Sequence, residues 1–281
     1  MQTEPSPRGS LLPRRRPAAL AGLTVAAVAA VSVGVLLTGC GSGSGDAAEP
    51  DAGTSPSSSS PEREDARILW LGDSIAGVEG AALEAALTAS GVEFLDASSD
   101  GGGTVVEGDE MSRQIAESTW SDLTEHIASF RPTVIAYQIT TYDWGTPQRQ
   151  RASYERLAET AGDADADLVI VSAPPFRIDD FYRPHESAID SAPEMAEEVA
   201  ESDGDQVHFL DAAALWGTES GAEQAQRAPD GIHSCQQGSA AFAAWFGEEL
   251  GARYGFAPAA PEEWATGAWT GDERFAQLGC A

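Results

Sequence analysis

Five short, β-rich apolar runs recur along the chain: Ile68 to Leu71, Val92 to Leu95, Val134 to Tyr137, Leu168 to Val171 and Val207 to Leu210. Longer segments of helical period separate them. Strands that alternate with helices imply a parallel sheet covered on both faces. Trp120, Leu123, Ile127 and Phe130 give one intervening helix a single apolar stripe, and Phe242, Trp245, Phe246 and Leu250 do the same for the last helix. These aromatics read as core. The roughly 215 residues beyond about residue 66 suit one α/β domain. In a five-stranded sheet of order 2-1-3-4-5, ligands bind at the carboxyl ends of the strands, between the first and third, where the winding reverses.

The first apolar run ends in Gly72-Asp73-Ser74-Ile75, and Asp230-Gly231-Ile232-His233 lies far downstream, just before a helix-like segment. A serine hydroxyl is a poor nucleophile at neutral pH, and it needs an imidazole as base and a carboxylate to orient that imidazole. Ser74, His233 and Asp230 supply the three groups. Asp73 reads as a brace for the turn. Either motif alone is an ordinary turn, since Asp-Gly is a common turn dipeptide; the weight rests on both occurring in this order and context.

That order, a serine followed by Asp and His three positions apart near the C-terminus, resembles the SGNH (GDSL) hydrolase family. The resemblance covers about residues 67 to 255. It implies a flavodoxin-like three-layer α/β/α fold with a five-stranded parallel sheet, cleavage of esters through an acyl-Ser74 intermediate, and no cofactor. In that family a glycine N–H of the second block joins the Ser N–H in the oxyanion hole, which points to Gly101 within Asp96 to Thr104. The third block, usually Gly-Xaa-Asn-Asp, aligns with Thr140-Thr141-Tyr142-Asp143, so Tyr142 stands where the family has an asparagine donor. Losing one such donor without replacement costs about 2.7 to 4 kcal/mol of transition-state stabilisation. Tyr142, Thr141 and Gln138 are the candidate replacements. Similar departures occur in SGNH domains associated with O-acetylation of bacterial surface polysaccharides, which keeps an acyltransferase reading open.

Arg14-Arg15-Arg16 precedes an apolar stretch from Ala18 to Leu37, a targeting segment rather than part of the fold. It ends in Leu37-Thr38-Gly39-Cys40, which resembles the lipobox of bacterial lipoproteins, with Cys40 the lipidated residue. An uncleaved membrane-spanning helix is the alternative. On either reading the domain lies outside the cytoplasm, lipid-anchored at the outer face of the cytoplasmic membrane if Cys40 is modified. Residues 41–66 are dominated by Gly, Ser, Pro, Ala, Asp and Glu and read as a flexible tether, on the order of 30 Å in root-mean-square reach. The SGNH-like domain then occupies 67–281.

All 16 basic residues are arginine, against 45 acidic residues. Beyond residue 40 the balance is 12 against 44, a net charge of −32. Such a surface repels nucleic acid and anionic headgroups, which disfavours a nucleic-acid partner. With Cys40 assigned to lipid, Cys235 and Cys280 read as a disulfide in an exported protein, tying the C-terminal tail beside His233; two unpaired thiols are the alternative. His126, His185, His208 and His233 lack ligand-like spacing, so no metal site is expected.

The loops after the third and fourth strands hold Tyr142, Trp144, Pro174, Pro175, Phe176, Arg177, Phe181, Tyr182 and Arg183 on the side where the site opens. They read either as a sugar-stacking or acyl-binding wall or as apolar packing beneath a long loop. The leading expectation is an extracytoplasmic serine esterase removing short acyl groups from carbohydrate or small-molecule esters. An O-acyltransferase acting on cell-surface polysaccharide and a catalytically silent carbohydrate-binding lipoprotein are the alternatives.

Overall fold

A computed structural model describes residues 66–280. The targeting segment, Cys40 and the tether up to residue 65 lie outside the described residues. Ala66 is already buried, and its carbonyl accepts from the N–H of Glu93.

Five strands, β1 (Arg67–Leu71), β2 (Glu93–Asp96), β3 (Val134–Gln138), β4 (Asp167–Val171) and β5 (Val207–Leu210), form one sheet of order β2-β1-β3-β4-β5. Every pairing is parallel, with Leu69 opposite Leu95 on one side and Ile135 on the other. The fold is therefore the expected flavodoxin-like α/β/α arrangement. Successive side chains of a strand point to opposite faces, and β1 divides accordingly. Ile68 and Trp70 join a core with Phe242, Phe246 and Leu250, whereas Leu69 and Leu71 join a second core with Trp120, Leu123, Tyr154 and Leu157. Burying both faces is what gives the central strands continuous apolar runs rather than alternating ones.

The first core lies under α1 (Ser74–Ala89) and α6 (Gln236–Tyr254), which pack against each other; the second lies under α2 (Glu110–Phe130), α3 (Pro147–Asp163) and α4 (Glu186–Ser202). Local chemistry fixes the helix ends. Asp109 caps α2 by accepting from the Ser112 N–H at 2.9 Å, and Pro147 opens α3, where its missing N–H costs nothing. Gly255, at φ +80°, ends α6 in the left-handed conformation. Phe242 and Phe246 are fully buried, and truncating either to alanine would cost about 3–5 kcal/mol. Short helices α5 (Ala213–Trp216), α7 (Pro261–Trp264) and α8 (Glu273–Gln277) complete the chain. A disulfide joins Cys235, just before α6, to Cys280. Among the described residues no helix is long and apolar enough to cross a membrane.

Candidate active site

The turn after β1 is built from its backbone outward. Gly72 has φ +154°, and a Cβ there would stand 2.5 Å from the Ala76 Cβ. Asp73, fully buried, caps α1: Oδ1 accepts from the Ile75 N–H at 2.9 Å. Its Oδ2 accepts from the N–H and hydroxyl of Thr141, at 2.8 and 2.9 Å, so one carboxyl fastens the end of β1 to the loop after β3. Burial pushes this carboxyl up from its ordinary value, against the hydrogen bonds from Thr141 and Ile75. Ser74 is the first residue of α1 and is half-buried. Its amide thus lies at the positive end of the helix.

The facing loop closes on itself. Arg227 and Ser234 form an isolated antiparallel bridge, and the Gly231 N–H donates to the Ala228 carbonyl at 2.8 Å. Gly231 takes φ +74°, which a turn this tight requires. Asp230 Oδ1 accepts from the backbone N–H groups of Ile232 and His233, at 2.8 and 3.1 Å. Its Oδ2 accepts from His233 Nδ1 at 2.7 Å, which leaves Nε2 as the acceptor for the Ser74 hydroxyl, 2.9 Å away. Partial burial pushes the Asp230 carboxyl up, but the His233 ring and the two amides outweigh it and hold it below the usual carboxylate range. The fold has therefore brought together three side chains, two of them 159 residues apart, in nucleophile, base and orienting-acid geometry.

The other expected site residues are placed less directly. Gly101 is exposed, and its N–H is turned toward Ser99 Oγ at 3.4 Å. The glycine pressed against the turn is Gly103: a Cβ there would stand 2.0 Å from the Gly72 carbonyl oxygen, and its φ is +68°. Tyr142 directs its backbone N–H to Thr140 Oγ1 at 3.2 Å, and its ring joins Trp144, Phe181 and Tyr182 in edge and tilted contacts. Asp143, the residue after it, is fully buried. Its Oδ1 accepts from the hydroxyls of Thr104, Thr140 and Tyr137 at 2.6, 2.6 and 2.7 Å, and its Oδ2 from Tyr154 at 2.6 Å. This carboxyl joins the glycine-rich loop, β3 and α3, a role that its alignment with the third block did not disclose.

The aromatic residues of the two loops are mainly packing. Trp144, Phe176 and Tyr182 are buried with Ile75, the residue after Ser74, and Ile232, the residue before His233, packs against them. Trp144 stacks on His185 at 3.6 Å. Phe181 is the exposed member, at 47%. Arg177 is exposed beside Gly231. Sequence reading missed a polar group near the His233 loop, formed by the buried Glu79 and Gln138 and the half-buried Arg227. A glutamate within an apolar stretch of α1 was the available signal.

No protein-family model matches the chain, and no curated protein matches it in sequence. Among solved structures it is similar to a protein described as an acylhydrolase from Bacteroides fragilis, at 14% identity over 69% of this chain and 90% of that one, with a TM-score of 0.50. It is also similar to a GDSL-like lipase from Bacteroides thetaiotaomicron, at 14% identity over 69% and 91% of the two chains, again with a TM-score of 0.50. Likeness at this identity establishes a shared fold.

Proposed function

We propose that this domain, whose fold is of the SGNH type, is a serine esterase that removes short acyl groups from carbohydrate or small-molecule esters. The reading rests chiefly on one observation, the continuous Asp230–His233–Ser74 hydrogen-bond chain at the switch point of the sheet. His233 Nε2 takes the Ser74 proton as Oγ attacks the ester carbonyl carbon, and the same nitrogen then returns that proton to the departing alkoxide. Asp230 holds the ring in the tautomer that leaves Nε2 free and offsets the positive charge the ring acquires. Water, deprotonated by the same nitrogen, then cleaves the acyl-Ser74 ester and releases the acid. The Ser74 amide, at the start of α1, is one donor for the oxyanion. A glycine of the 101–103 run is the second, and the third-block donor falls to Tyr142, because Thr141 gives its N–H and hydroxyl to Asp73 and Gln138 gives its amide to Glu79.

Outside the described residues, the same proposal has Cys40 carrying a lipid that holds the domain at the outer face of the cytoplasmic membrane, with an acylated carbohydrate within reach as substrate.

Turnover of p-nitrophenyl acetate by the purified protein, with Ser74→Ala and His233→Ala beside it, is the direct test. Both substitutions are expected to abolish nearly all activity, because triad members act as a unit. Activity that survives Ser74→Ala would refute the mechanism. Acetyl transfer to an oligosaccharide in place of acetate release would replace the esterase by an acyltransferase.

A further inference from the structure

Helix α1 carries a carboxyl that the reaction above leaves unused. Glu79 is 0% exposed, and its Oε2 accepts a hydrogen bond from Gln138 Nε2 at 2.7 Å. Its Oε1 is buried with no hydrogen-bond partner among the described residues, and so are Arg227 Nη2 and Ser234 Oγ on the loop above it. Neither Arg227 nor Ser234 hydrogen-bonds to Glu79, but the guanidinium charge and the Ser234 hydroxyl both favour its ionised form. These two residues are the two sides of the bridge that closes the loop carrying Asp230 and His233. Arg227 also grips that loop from inside: Nε donates to the Ala225 carbonyl at 2.7 Å, and Nη1 donates to the carbonyl of Ile232, next to His233, at 3.0 Å. Its guanidinium lies over the Trp216 ring, 4.6 Å from the centroid. Burying a carboxyl and a guanidinium is costly.

We infer that Glu79 is a positioning residue for the triad: by attracting Arg227, its carboxylate holds the Asp230–His233 loop in register with the helix that begins at Ser74. The inference rests on the esterase reading. The linkage runs from Ser74 through one turn of α1 to Glu79, across to Arg227, and through the Ile232 carbonyl to His233. It sets the position of Nε2 against Oγ without touching substrate. The charged groups that face Glu79 are Asp73, from the start of its own helix, and Arg227, while Gln138 from β3 and Ser234 from the loop are neutral. Burial raises the Glu79 carboxyl to about 7, Asp73 adds to the rise, and Arg227, Gln138 and Ser234 oppose it. The attraction is therefore present above neutrality and fades below it. Deprotonation of Glu79 then contributes to the acid side of the rate profile.

Glu79→Gln in the full chain keeps the size of the side chain and an acceptor for Gln138 while removing the charge. Its kcat for p-nitrophenyl acetate is expected to fall about ten- to a hundredfold with KM unchanged. The acid limb of log kcat against pH should be shallower than the parent's, by up to about one unit of slope. Arg227→Met should give a similar fall, and the double variant should be no slower than the slower single one. A readout free of turnover is the low-field proton resonance of the His233 Nδ1–H bonded to Asp230. It is expected to be sharp in the parent above neutrality, to broaden as Glu79 gains its proton, and to be broad at every pH in Glu79→Gln. A folded Glu79→Gln protein with parental kcat and slope, or with an unaltered resonance, would overturn the inference. Should the parent hydrolyse no ester, the resonance alone decides, so this inference and the esterase reading fail separately.

Discussion

Asp143→Ala tests how much of the site's framework depends on one buried carboxyl. Four hydroxyls, from Thr104, Tyr137, Thr140 and Tyr154, converge on it at 2.6–2.7 Å, and all five residues are buried. Hydrogen bonds to a charged acceptor contribute about 1.5–3 kcal/mol each, which gives a gross value of about 6–12 kcal/mol. Burial of the carboxylate works against this, and it is the largest influence on the group, pushing its pKa up while the four hydroxyls pull it down. Alanine removes both the benefit and the burden, but it leaves four donors facing a cavity. Three of those oxygens keep a backbone donor: Val106 N–H to Thr104, Val105 N–H to Tyr137 and Tyr142 N–H to Thr140. Their own protons, and that of Tyr154, lose their acceptor. The expected net loss is about 3–5 kcal/mol, the range found when a buried polar network loses a central member. Asp143→Asn keeps the shape and one acceptor oxygen, and the Tyr154 hydroxyl can rotate to accept from the new amide, so its loss should stay near 1–2 kcal/mol. Urea unfolding of both variants at pH 7, followed by far-ultraviolet circular dichroism, separates the two values. An alanine variant within about 1 kcal/mol of the parent would show that the hydroxyls find other partners and that the carboxyl is not what joins these loops.

Reducing the Cys235–Cys280 disulfide opens a loop of sequence separation 45, which should lower stability by about 4 kcal/mol on the chain-entropy account; urea midpoints with and without reductant measure it, and a change under about 1 kcal/mol would contradict that account. Gly103→Ala drives a methyl group into the Gly72 carbonyl oxygen at a positive φ, so a loss of at least about 1–3 kcal/mol is expected, with a matching fall in ester turnover; a variant with parental stability and kcat would show that this contact is not fixed. Asp230 is held below its ordinary 3.8, so the stability it contributes is present above that value and is lost as pH falls through its folded value; the urea-midpoint gap between the parent and Asp230→Asn should narrow in acid, and a gap independent of pH would refute the assignment.

What was legible in the sequence was what repeats locally. The five apolar runs coincide with the five strands to within a residue, and the record is continuous in the central strands because they are buried on both faces. The stripe Trp120, Leu123, Ile127, Phe130 does face the second core, and Phe242, Phe246 and Leu250 fill the first. The serine and the Asp–His pair were legible as motifs at the two ends of the domain, and folding brings them within hydrogen-bond reach. Partnerships across the fold left no such record. Glu79 and Gln138 are 59 residues apart, Thr104 and Asp143 are 39 apart, and periodicity says which face is buried but not which polar group waits there. The glycine run is a third case: three adjacent glycines look alike in sequence, and only the close approach to Gly72 distinguishes Gly103.

All five strands run the same way, and β1 is the first of them, so the chain enters the sheet at the edge opposite the one where Ser74 and His233 meet. The five residues of β1 separate those two edges by roughly 16 Å before any loop is counted. A substrate reaching Ser74 therefore approaches from the side of the sheet away from the start of β1, and its path does not cross Ala66 or Arg67.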